Sequence, residues 1–208
     1  MQPVYVAGVG MIPFAKPGAS APYRRMAAQA TRAAPDVPLA LRYFGGAGIA
    51  HMQKYGTQLA TFAKVRAKAS RHAARNPLAV FRNEVTVEDV LASPVLIPGV
   101  MTRLMACPPT CGAAAAIVVS EHFANKHGIA RRVRIAAQAM TTDTPSTFES
   151  HDMMHLVGYD MARAAAAATY EAAGIGPGDL DVVELHDCFA HNELLSYEAL
   201  GLCAEGET

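Results

Sequence analysis

At 208 residues the chain is long enough to bury one sizeable core, and its 51% hydrophobic content, much of it alanine, suits a compact water-soluble protein. Lysine plus arginine equals aspartate plus glutamate at 18 each, which excludes a net electrostatic pull toward nucleic acid. No apolar run reaches the length of a membrane span and residues 1–10 lack the pattern of a secretory signal, so a cytoplasmic location is expected, with Cys107, Cys111, Cys188 and Cys203 as thiols rather than a disulfide framework.

Residues 3–10 are valine-rich and alternate loosely, which predicts a strand closing in a glycine turn. Pro13, Pro17 and Pro22 hold 11–23 irregular, and 23–33 reads as a short helix. From 51 to 72 the pairs His51-Met52, Leu59-Ala60 and Phe62-Ala63 recur on one helical face, and Asn76-Pro77 ends the run. A further short helix is expected to start within 85–90, with Thr86 as cap and Asp89 three residues on. The stretches 64–75 and 131–134 are locally basic; the first is either a solvated helix face or the wall of a groove for a phosphorylated ligand.

Cys107 and Cys111 bracket a Pro-Pro-Thr turn and lead into Ile117, Val118 and Val119, a strand expected to pack tightly at its start. Ser120 should cap a helix running through His127, with Gly128 as its stop. Two cysteines at this separation can ligate zinc, but Cys188 and Cys203 stand alone, so no metal site is expected. Residues 133–139 predict another strand and 140–148 a polar loop. His151 and His155 are four apart and on a helix would share one face, as in zinc proteases; Asp152 is one methylene shorter than the glutamate of that motif, and no third ligand follows. A long helix is predicted over 156–173, its alanine face packed closely on a neighbour and Gly174 ending it.

The β-branched run 181–185 reads as a buried strand. At its end stand His186, Asp187 and Cys188, then Phe189 and a helix-like segment over 190–200. In a parallel α/β sheet such groups project into a crevice beside the next helix's N-terminus, where free N–H groups favour developing negative charge. An imidazole, a carboxylate and a thiol there can donate to an oxyanion and move a proton near neutral pH. The plain alternative is a hydrogen-bonded histidine and a small buried thiol.

The run ELHDCF at 184–189, followed by Asn192-Glu193-Leu194-Leu195 and Tyr197-Glu198-Ala199-Leu200-Gly201-Leu202, resembles the sterol-carrier-protein type of thiolase, also called the lipid-transfer-protein thiolases. The likeness starts near His51, takes in HMQKYGT, CPPTCGAAAAIVVSE and VGYDMARAA, and resumes at the N-terminus in VYVAGVGMIPFAKPG. It implies an α/β protein with a partial thiolase-like fold, mixed sheets with layered helices and two incomplete halves. Residues 1–44 would be the start of the N-terminal half up to a deletion junction and 45–104 a loop-domain remnant lying over the substrate channel. Residues 105–130 would be the last strand and helix of that half, and 131–208 the first part of the C-terminal half.

In that family a cysteine thiolate takes the acyl group of an acyl-CoA, and CoA or a carbon nucleophile then attacks the thioester, giving thiolysis or Claisen condensation. Carried over position by position, His186 becomes the oxyanion donor and Cys188 the acid–base thiol, with Asn192, Met153 and His155 facing substrate. The CoA thioester is substrate and no cofactor is implied; the basic stretch 64–75 is either a wall for CoA phosphates or a solvated helix face. Where relatives have an aspartate, this chain has Cys111. No cysteine precedes Cys107, so the first-half nucleophile has no counterpart, and no Gly-His-Pro segment is found to polarise it; thiolysis by this polypeptide alone is not expected. The resemblance leaves two alternatives: a non-catalytic acyl-CoA or lipid-binding module, and an aldolase-like relative acting on steroid side-chain CoA esters with an OB-fold partner. Uncovered sheet edges predict a homo-oligomer or a partner complex.

Overall fold

The computed structural model describes residues 37–130 and 133–207, together with the backbone of residues 4–10, which form strand β1 (Val4–Gly10) as the valine pattern predicts. The expectations for residues 11–23 and 23–33 lie outside the described residues. The run from 51 to 72, expected as one helix, belongs to two: α1 (Leu39–Tyr55) and α2 (Leu59–Ala74). Gly56 separates them. Its φ of 74° is left-handed, its N–H donates to Met52 O, and the chain must turn there whatever the apolar period on either side.

Helix α3 (Val87–Ala92) starts where Thr86 and Asp89 direct: the Thr86 side chain accepts from the Asp89 N–H, and Asp89 Oδ2 accepts from the Thr86 N–H. A small hairpin follows, β2 (Val95–Ile97) with β3 (Met101–Thr102), and the chain then reaches β4 (Ala115–Ser120) and α4 (Glu121–Lys126). Ser120 accepts from the Phe123 N–H as the cap of α4, and Gly128 turns beyond its end at φ 63°. The start of β4 is exposed at Ala115 and Ala116, against the tight packing expected, because no layer of the described residues covers it.

The strand expected over 133–139 shrinks to β5 (Arg134–Ile135), which pairs only with residues 4 and 5 of β1. The sheet runs β4-β1-β5 with both pairings antiparallel, not the parallel arrangement that the strand-end argument assumed. Within the expected polar loop Pro145 opens a short helix, α5 (Pro145–Glu149). Next come α6 (Met153–Leu156) and α7 (Tyr159–Ala173), which starts three residues later than predicted because Gly158, at φ 98°, breaks the chain between them. Gly174 ends α7 in the left-handed region, as read. The run 181–185 forms no strand. No partner strand lies beside it among the described residues, Val182 is 78% exposed, and the segment passes as extended chain into α8 (Ala190–Ala199).

Helices α1, α2 and α8 enclose the interior. Phe62, Ala63 and Val65 of α2, Val90, Met101, Met105, Phe189 and Leu194 form one buried cluster; Ala47, Met154, Tyr159, Leu195 and Ala199 form a second. Only one face of the alanine helix α7 packs, against α8, leaving Ala164, Ala167 and Ala168 exposed. The three-stranded sheet stands to one side with α4 packed on it, and Ile117, Val118, Phe123 and Val133 remain exposed. No helix among the described residues is long and apolar enough to cross a membrane.

Candidate active-site loop and the adjoining groove

The loop 186–188 is held at both ends. On the C-terminal side Phe189, 5% exposed, precedes α8 and stacks on Phe44 with ring centroids 4.5 Å apart. Its backbone lies antiparallel to that of Ala106, and the Cys107 N–H donates to Cys188 O at 2.9 Å. On the other side Asn192 Nδ2 donates to His186 O at 2.5 Å, so Asn192 positions the loop through its backbone.

The three side chains sit in different surroundings. His186 is exposed and Cys188 half-buried. Burial, followed by the Cys107 thiol and Asp187, pushes Cys188 up to about 12. It is therefore a protonated thiol, able to donate a proton and poorly able to take one. The Asp187 carboxyl is raised by desolvation and by Glu193, and pulled back by His186 and Lys68.

Lys68 links this loop to a groove. It donates to Glu193 Oε1 and, at 2.5 Å, to Tyr197 Oη, while the Tyr197 hydroxyl donates to the same Glu193 oxygen. Glu193 is buried on the first turn of α8, so the charge of Lys68 is fixed by a carboxylate it cannot leave. Lys64, Lys68 and Arg71 fall at i, i+4 and i+7 on α2 and share one face. That face, with Thr61, Val87, Tyr197 and Leu202, lines a groove of about 670 Å³. His186 and Cys188 are not among its lining residues.

The structure does not bring Met153 and His155 to this loop. Met153 packs over Gly46 of α1, and His155 Nδ1 lies 2.9 Å from Asp160 Oδ2 but off the line of a hydrogen bond. His151 precedes α6 at φ 55°, so it does not share a helical face with His155. Among the described residues no group of three or more His, Cys, Asp or Glu is arranged to hold a metal ion.

Three groups that matter here carry no local signal in the sequence. Lys68 was one cation in a basic run, and nothing local announced Glu193 as its partner. Cys107 has Cys111 as its neighbour in sequence, but in the fold it lies across from Cys188. His191, 1% exposed on α8, bonds Val100 O through Nε2 at 2.9 Å and faces the Phe62 ring at 4.2 Å; burial pushes it down to about 4, making it a neutral packing residue.

Residues 141–208 match the family described as thiolase C-terminal domain-like. Rat (Rattus norvegicus) sterol carrier protein 2 is 50% identical over 172 residues, 82% of this chain but 31% of that protein, so the chain spans about a third of the length of this relative. In fold, a structure described as an Ltp2-ChsH2(DUF35) aldolase overlays 96% of this chain and 53% of its own at TM-score 0.75 and 21% identity. A monomeric SCP2-thiolase-like protein of Mycobacterium smegmatis overlays 84% of this chain and 40% of its own at TM-score 0.66 and 22% identity. By sequence the chain is a homologue of sterol carrier protein 2, its residues 141–208 match the thiolase C-terminal domain-like family, and its fold is thiolase-like.

Proposed function

We propose that this chain handles acyl-CoA thioesters in lipid or sterol metabolism, binding the CoA ester along the groove of α2, next to the loop that carries His186 and Cys188. The observation that carries this reading is the double role of Lys68: it lines the groove and, through Glu193, stands beside the loop that carries Asp187. Lys64 and Arg71 supply cations for phosphate groups, and the apolar floor at Val65, Val87 and Leu202 accepts an uncharged arm.

In the reaction class of the relatives, His186 would donate to the thioester oxygen as it gains negative charge, and Cys188, held protonated, would deliver a proton to the product carbon or leaving group. Neither group is an attacking sulfur. With no cysteine ahead of Cys107, this polypeptide alone is expected to form no acyl-enzyme. Calorimetric titration with a short acyl-CoA should show saturable binding that weakens about tenfold or more on replacing both Lys64 and Arg71 by Ala. Absence of binding would end the acyl-CoA reading, and a burst of free CoA would contradict the inactive part of it.

A second reading is supported by the aldolase overlay, which covers nearly the whole chain. Here the protein would cleave a CoA ester without a nucleophilic thiol and would need a partner of OB-fold type. The exposed apolar residues Ile117 and Val118 on β4, with Val133 just before β5, suit such a cover or a second copy. Carbon–carbon cleavage of a hydroxyacyl-CoA without CoA release would favour this reading; saturable binding without turnover would favour a purely binding module.

A further inference from the structure

We propose that Cys107 and Cys188 form a reversible disulfide, an oxidation site that takes the thiol of the HDCF loop out of use. The pairing is set by the backbone. Ala106 and Phe189 oppose each other in an antiparallel bridge, and the next rung is the Cys107 N–H bonded to Cys188 O at 2.9 Å. Cys107 and Cys188 are therefore directly opposite, and opposed residues of an antiparallel pair carry their side chains on the same face with Cα atoms about 5.5 Å apart when hydrogen-bonded. That separation falls inside the roughly 4.4–6.8 Å that a disulfide spans, and the Cβ atoms of such a hydrogen-bonded pair, about 5.5 Å apart, need to approach by about 1 Å for the bond to close. Electrostatic coupling agrees with the placement, since the Cys107 thiol is among the groups that raise Cys188.

The two thiols differ in access, and the difference orders the steps. Cys107 is exposed and Cys188 half-buried. Toward a small disulfide such as oxidised glutathione, the Cys107 thiolate attacks first, forming a mixed disulfide and expelling one glutathione thiolate, which takes up a proton. Cys188 then loses its proton to solvent and its sulfur attacks Cys107 Sγ, expelling the second glutathione thiolate. Two protein thiols are oxidised and one glutathione disulfide is reduced to two thiols. Because the thiolate is the attacking form and burial holds Cys188 protonated, the second step should accelerate as pH rises.

The test uses the full chain with oxidised glutathione over a range of ratios to reduced glutathione, followed by alkylation and non-reducing peptide mapping. The expected product is a Cys107–Cys188 cross-link that dithiothreitol reverses, with Cys203 still alkylated. Cys188→Ser should leave glutathione on Cys107, and Cys107→Ser should lower oxidation of Cys188 at least tenfold, roughly the gain of a held neighbour over a free thiol. A Cys107–Cys111 cross-link, or a mixed disulfide at Cys107 that never resolves even at high pH, would overturn the proposal. Far-UV circular dichroism of both variants separates a lost cross-link from a lost fold.

Discussion

His51 Nε2 lies 2.9 Å from Glu198 Oε1 with each side chain 1% exposed, joining α1 to α8 in the interior. Thr57 Oγ1 stands 2.7 Å from His51 Nδ1, and the Gly206 N–H donates to the same Glu198 oxygen at 2.8 Å. Assigning the ring proton to Nε2 satisfies the whole set: it donates to Glu198, and Nδ1 accepts from the Thr57 hydroxyl. Glu198→Ala leaves the buried His51 N–H and the half-buried Gly206 N–H without that acceptor and is expected to cost about 3–5 kcal/mol. Glu198→Gln keeps an accepting oxygen and should cost less than half as much. Urea unfolding of both variants measures the difference, and equal losses would mean that the oxygen's hydrogen bonds are not what the pair contributes.

Glu205 fastens residues 201–207 to two helices. Tyr55 Oη donates to its Oε2 at 2.6 Å and Tyr159 Oη to its Oε1 at 2.9 Å, with Lys54 and Arg163 nearby. The Tyr55 bond first, then that of Tyr159, holds the carboxyl below its ordinary 4.5. A depressed carboxyl contributes stability that is present above the unfolded value and is lost as pH falls through the folded one. The side chain is 42% exposed, so the contribution is small, about 1 kcal/mol. The Tyr55 and Tyr159 ring resonances should shift together as pH drops below 4.5, and in Glu205→Gln that shared step should vanish.

Gly48 and Gly56 are both intolerant of a side chain, for unlike reasons. A Cβ on Gly48 would sit 2.4 Å from His191 Cδ2, and that ring is pinned by Val100 O and Phe62. Overpacking of this kind costs about 1–3 kcal/mol. At Gly56 a Cβ meets nothing within 4 Å, and only its φ of 74° resists, at about 1 kcal/mol. Thermal melts of Gly48→Ala and Gly56→Ala, each with and without His191→Ala, separate the two: relief of the clash should recover part of the Gly48→Ala loss and none of the Gly56→Ala loss.

What the sequence revealed was local chemistry. Thr86 with Asp89, Ser120 before Phe123, and Gly128 and Gly174 at helix ends each act within a few residues, and each stands where its side chain or backbone freedom requires. Gly56 escaped because the apolar period continues on both sides of it, and periodicity carries no sign of a left-handed residue. The β-branched run 181–185 misled because a strand is completed by a neighbour, and side-chain type cannot say whether one is present. The loop itself was visible as HDCF. Its surroundings, Cys107 opposite Cys188 and Lys68 on Glu193, depend on residues far apart in the chain and became legible only with the fold.

The Lys68–Glu193 pair allows stability and ligand binding to be told apart. Glu193 is 6% exposed at its side chain and Lys68 38%, so Lys68→Met strands a buried carboxylate that keeps, among the described residues, the Tyr197 hydroxyl as its donor, at an expected cost of about 3 kcal/mol. Glu193→Leu alone leaves a half-exposed ammonium that water can reach, a smaller loss. The double variant Lys68→Met with Glu193→Leu replaces the pair by apolar groups and should recover at least half of the Lys68→Met loss, a coupling of about 1–2 kcal/mol in a double-mutant cycle. If Lys68 also faces a phosphate-bearing ligand in the groove, that recovery of stability brings no recovery of acyl-CoA affinity. Regained affinity in the double variant would assign Lys68 to the packing of α2 on α8 and remove it from the binding surface.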